Sequence, residues 1–154
     1  MRITLRVIVA LLFAVWWGGF TFYAAVVVPT GVTVLGSATA QGFVTQPVTN
    51  RLNVLGVIVI AVLCWNMISA RRRASPRVRR VLYISWAVLA IAQLALVALH
   101  PRLDGMLDLT TRSIVVDHAV FYATHRIYLL VATAQWLAAV VHAGGVGYAW
   151  SRSS

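Results

Sequence analysis

Apolar residues dominate four stretches of the chain, and polar residues gather between them. Residues 5–29 form the first apolar run, 52–70 the second, 81–99 the third and 119–141 the fourth. At 1.5 Å rise per residue, each is long enough to cross, or nearly cross, a hydrocarbon core of about 30 Å as an α-helix. Pro29-Thr30-Gly31 is expected to end the first helix, because proline lacks a backbone donor and glycine accepts conformations that other residues avoid. Residues 30–50, rich in Thr, Gly and Gln, read as a connection holding a short interfacial helix broken near Pro47. Ser75-Pro76 marks a turn between the second and third spans. His100-Pro101 is expected to close the third, and a loop with Gly105 leads to a fourth helix that begins near Asp117. Gly144, Gly145 and Gly147 are expected to loosen its end.

Composition turns this pattern into a fold class. Of 154 residues, 61% are hydrophobic and 10% charged, too little polar surface for a soluble domain of this size. The expected architecture is an all-α integral membrane protein, a single membrane domain over residues 1–154, with short connections that imply an up-down-up-down bundle of four transmembrane helices. The start also has the form of a signal peptide, with Arg2 and Arg6 ahead of the apolar run and Ala38-Thr39-Ala40 behind it. The run is about twice the length of a signal core, so a retained helix is expected.

Charge supplies the orientation. All 13 basic residues are Arg, the three acidic residues are Asp, and the net charge is +10. Nucleic acid is not the inferred partner, because six of the Arg lie between residues 71 and 80, joining two apolar runs, where basic residues act as topology determinants. Arg2, Arg6, Arg71, Arg72, Arg73, Arg77, Arg79, Arg80 and Arg152 fall on one side, and Arg51, Arg102 and Arg112 on the other. The Arg-rich side is expected to be cytoplasmic, with both termini inside, in a cytoplasmic (inner) membrane. Cys64, the sole cysteine, excludes an intrachain disulfide and reads as a buried thiol.

The residues able to carry chemistry concentrate between His100 and Arg126. Arg126 lies about two turns into the fourth helix, where an unpaired guanidinium costs roughly 2.5–3.5 kcal/mol on insertion scales. Arg126 with Asp104, Asp108 and Asp117 is therefore the candidate substrate site or structural ion-pair network, balanced by Arg102 and Arg112. His100, His118 and His125 are candidate cofactor ligands, since imidazole binds both haem iron and metal ions. Against a mononuclear site, His118 and His125 are seven residues apart, so they share a helix face two turns from each other. Gln93, Gln135, Asn66 and Cys64 read as interhelical contacts. No nucleophile elbow, phosphate loop, Cys-x-x-Cys or His-Glu-x-x-His occurs.

Trp17-Gly18-Gly19-Phe20 leading to Val28-Pro29, His100-Pro101-Arg102 after the third span, and Phe121-x-x-x-His125 in the fourth together resemble the transmembrane-protein-205-like family of small four-helix membrane proteins. The resemblance extends over nearly the whole chain. It implies the four-helix fold and a role for His125, with no reaction attached. The expected function is an accessory subunit that partners membrane lipids and other membrane-protein subunits. A haem- or metal-binding redox protein and a small transporter are the alternatives.

Overall fold

The first apolar run does not stop at Pro29. In the computed structural model, which describes residues 3–70, 75–108 and 110–151 and the side chains of all of these but 69 and 70, helix α1 (Ile3–Phe22) passes through a π-helical turn (Tyr23–Val27) directly into α2 (Val28–Leu35). The turn is the reason the helix survives. Proline inside an α-helix clashes with the carbonyl four residues earlier, and a wide turn just ahead of Pro29, closed by the Val28 N–H on the Tyr23 carbonyl, relieves that clash. The chain finally turns at Gly36, whose φ of 64° is left-handed and suits glycine.

Ser37 then begins the next helix by accepting the Ala40 N–H on its hydroxyl at 3.2 Å. Helix α3 (Ala38–Ala70) runs unbroken for 33 residues, through Pro47. The expected connection over residues 30–50 is therefore helix on both sides of a two-residue turn. Proline at position 47 removes a single backbone donor, which a long helix packed along its length tolerates.

Helix α4 (Pro76–Asp104) starts as the Ser75-Pro76 pair suggests, with Pro in the first turn and the Ser75 hydroxyl accepting from the Val78 N–H. It continues past His100-Pro101 by a full turn, so that pair does not close it. A two-stranded hairpin follows, β1 (Leu107–Asp108) and β2 (Ser113–Ile114), antiparallel with Leu107 opposite Ile114. Asp117 caps helix α5 (His118–Ser151) by accepting the Ala119 N–H at 2.6 Å. The glycines at 144, 145 and 147 do not loosen α5; Gly145 packs against Leu82, where a Cβ would stand 3.0 Å from a methyl carbon. Arg2, Arg71, Arg72, Arg73 and Arg152, five of the nine arginines on the Arg-rich side, lie outside the described residues.

Contacts fix the helix directions. Along α3 and α4, Asn53 meets Gln93, Ile60 meets Trp86, and Met67 shares one buried cluster with Leu82, so one number rises as the other falls. The same holds for α4 against α5, from His100 with Tyr128 to Ser85 with His142. It holds again for α1 against α5, from Arg6 over the Trp150 ring to Thr21 with Trp136. The four helical runs alternate in direction around a shared core of Val9, Trp16, Val59, Leu63, Leu89 and Ala139. Each is long and apolar enough to cross a bilayer, and Ile91, Leu94, Leu130 and Val15 stand exposed on their outer faces. The chain is an all-α, multi-pass membrane protein.

Gly56 is where α3 admits its neighbours. A Cβ there would overlap the Gln93 side-chain oxygen and lie 2.9 Å from the Trp16 indole nitrogen. Gly56→Val is expected to destabilise the bundle by about 1–3 kcal/mol. Gly144→Ala, in open space, is expected to change stability little. Thermal unfolding of the two variants in detergent checks the contrast.

Candidate functional site

Lipid offers no hydrogen bonds, so polar side chains within the spans gain by bonding one another. At the centre of the bundle they do so in a connected column. The Gln135 side-chain amide donates to the Gln93 oxygen at 2.9 Å, and the Gln93 amide donates to the Asn53 backbone carbonyl at 3.1 Å. The Asn53 side chain meets the Tyr128 hydroxyl at 3.3 Å through its nitrogen, with its oxygen 3.4 Å from the same hydroxyl. Gln135, Gln93 and Asn53 are all buried.

Tyr128 carries the column to His100, whose ring meets it edge-on with centroids 6.5 Å apart. His100 Nε2 lies 3.2 Å from the Gln46 backbone carbonyl, and Nδ1 lies 2.8 Å from an Asp104 carboxylate oxygen. Both ring nitrogens face acceptors, so to ligate haem iron His100 would first have to release Asp104 or Gln46.

The remaining candidates are placed separately. His118 is exposed and stacks on Tyr122 at 6.4 Å, while His125 is half-buried and stacks on Phe121 at 6.0 Å. Neither shares a hydrogen bond or ring contact with His100 among the described residues. No group of three or more His, Cys, Asp or Glu side chains gathers as a metal site among these residues. Arg126 is exposed and forms no ion pair within the described set. The expected Arg–Asp network is replaced by local roles for the carboxylates. Asp104 binds His100, Asp117 caps α5, and Asp108 turns the hairpin by accepting the Thr110 N–H at 2.7 Å and the Thr111 N–H at 3.3 Å. These backbone donors, Thr110 foremost, hold the Asp108 carboxyl below the usual aspartate range.

A second buried pair lies towards the other end of the bundle. The Ser85 hydroxyl lies 3.2 Å from the Leu82 carbonyl and shares a hydrogen bond with His142 Nδ1 at 2.9 Å. His142 is fully buried, and its Nε2 has no hydrogen-bond partner among the described residues. Sequence reasoning missed Asn53, Ser85 and Tyr128. Asn53, next to Asn50 and Arg51, reads as the polar edge of a span, and Ser and Tyr are common enough in membrane helices to carry no signal.

Gln93→Leu is expected to cost about 1–3 kcal/mol by stranding the Gln135 donor. Gln93→Leu with Gln135→Leu is expected to cost less than the sum of the singles, with a coupling of about 0.6–1.7 kcal/mol in a double-mutant cycle. For Asp108, the depressed pKa means that its turn contacts are present above the ordinary aspartate range and lost as pH falls through the lowered value. The Thr110 and Thr111 amide resonances are expected to shift with a midpoint below that range, and Asp108→Ala to abolish the acid transition.

Comparison of the chain with protein-family models, with curated proteins and with solved structures finds no match.

Proposed function

We propose that this chain is a non-catalytic accessory subunit of a larger assembly in the cytoplasmic membrane, with both termini on the cytoplasmic side. The observation that carries this reading is the uneven covering of the four spans. Only 11% of the most apolar window of the Ile3–Leu35 span is buried, against 39%, 33% and 28% for the other three. The same span carries Gly18 and Gly19, beside which a Cβ would meet nothing within 4 Å. Small residues on an outward face let another helix approach closely, which is how helices associate where lipid removes the hydrophobic driving force.

The chemistry of the described residues supports the same reading. The three aspartates serve a histidine and two turns, the buried amides bind one another, and His118 and His125 stack on neighbouring aromatic rings. Membership of the transmembrane-protein-205-like family, proposed on the Trp17–Phe20, His100–Arg102 and Phe121–His125 motifs, implies the four-helix fold and a role for His125, with no reaction attached. The inward placement of the termini rests on the Arg distribution.

Purification in mild detergent tests the proposal. The native chain is expected to elute with a stoichiometric membrane partner, and Gly18→Leu with Gly19→Leu to elute alone while remaining folded. A folded native chain that runs as a lone monomer, or a partner retained equally by the double variant, contradicts it.

A further inference from the structure

A groove of about 460 Å³ lies between α3 and α4 at the end of the bundle that holds His100. Its apolar wall is Val54, Val57, Ile58 and Val97, each roughly half exposed on the surface of a membrane span, so the groove opens sideways to lipid. Its polar end holds Asn50, Asn53, His100 and Asp104. Asp104 is 34% exposed, and only one of its carboxylate oxygens is engaged by His100. Pro101 also lines the groove and brings no N–H donor to it. The polar end therefore keeps one free carboxylate oxygen.

A cation lies beside it. Arg51 is exposed and lies three and seven residues before Val54 and Ile58, on the groove side of α3. An apolar channel open to lipid, with a carboxylate at its head and a guanidinium group beside it, matches a zwitterion that has a hydrogen-bonding cation, a phosphate and an acyl chain. We propose that the groove holds one aminophospholipid of the phosphatidylethanolamine class. Its ammonium binds Asp104, its phosphate lies toward Arg51, and an acyl chain follows Val54, Val57, Ile58 and Val97. A primary ammonium brings three N–H donors to this end, whereas a choline head brings the same charge and none.

That contrast gives the test. The full chain is purified with an equimolar mixture of phosphatidylethanolamine, phosphatidylcholine and phosphatidylglycerol, and retained lipid is read by native mass spectrometry. The expected result is retention of phosphatidylethanolamine on the order of tenfold over either competitor, the size of one charge-assisted hydrogen bond. Asp104→Asn is expected to bring the preference over phosphatidylcholine within about twofold, and Arg51→Gln to weaken retention of all three lipids together. Should Asp104→Asn fail to fold, Val57→Trp with Ile58→Trp fills the groove and is expected to abolish selective retention. Equal retention of phosphatidylethanolamine and phosphatidylcholine by the native chain overturns the proposal. So does a preference for phosphatidylglycerol, or selectivity that survives filling of the groove.

Discussion

The hydrogen bond from Gln135 to Gln93 joins α5 to α4 at the buried centre of the bundle, and the bond from Gln93 to the Asn53 carbonyl joins α4 to α3. In water such amides would hold the helices together weakly, because solvent competes for every donor. In hydrocarbon no competitor exists, and an amide turned outward would have no partner. The rotation of three helices about their own axes follows from this. Once Gln93 faces Asn53 and Gln135, Ile91 and Leu94 must face lipid, and both are among the most exposed residues of α4.

Packing around the column obeys the same constraint. Gly56 has no side chain because the Gln93 amide and the Trp16 indole occupy that space. Trp86 donates its indole N–H to the Ile60 carbonyl at 3.0 Å, and Trp136 donates to the Thr21 hydroxyl at 2.8 Å while stacking on Trp17 at 5.3 Å. Large aromatic side chains fill the interior, and those two indoles find polar partners there. The first span joins the bundle through Val9, Trp16, Trp17 and Thr21, and it leaves most of its surface uncovered. That is the physical basis for reading it as the face that meets another subunit.

The four spans and the inward placement of Gln93 and Gln135 are legible in the sequence, because lipid sorts residues by polarity more stringently than water does. The ends of the helices are not. Pro29, Pro47 and Pro101 each read as terminators, yet each lies inside a continuous helical run, the first relieved by the π-turn at Tyr23–Val27. Helices held along their length by neighbours and lipid tolerate a missing donor that would end a helix in water. The site was legible only as a neighbourhood. Residues 100–126 do hold the His100–Asp104 unit, but its partners Gln46 and Tyr128 come from α3 and α5, and no spacing along the chain announces contacts between helices. His118, His125 and Arg126 read as members of one cluster and are separate side chains, two of them exposed.

A satisfied amide column inside the bundle, and not the apolar core alone, sets how the helices face one another. Solid-state NMR of the chain in lipid bilayers, with side-chain amides labelled, measures it directly. Cross-peaks are expected between the Gln93 and Gln135 side chains, with lipid acyl contacts to Ile91, Leu94 and Leu130 and no lipid contact to either glutamine. Acyl-chain cross-peaks to Gln93 or Gln135, with none between the two amides, would contradict it.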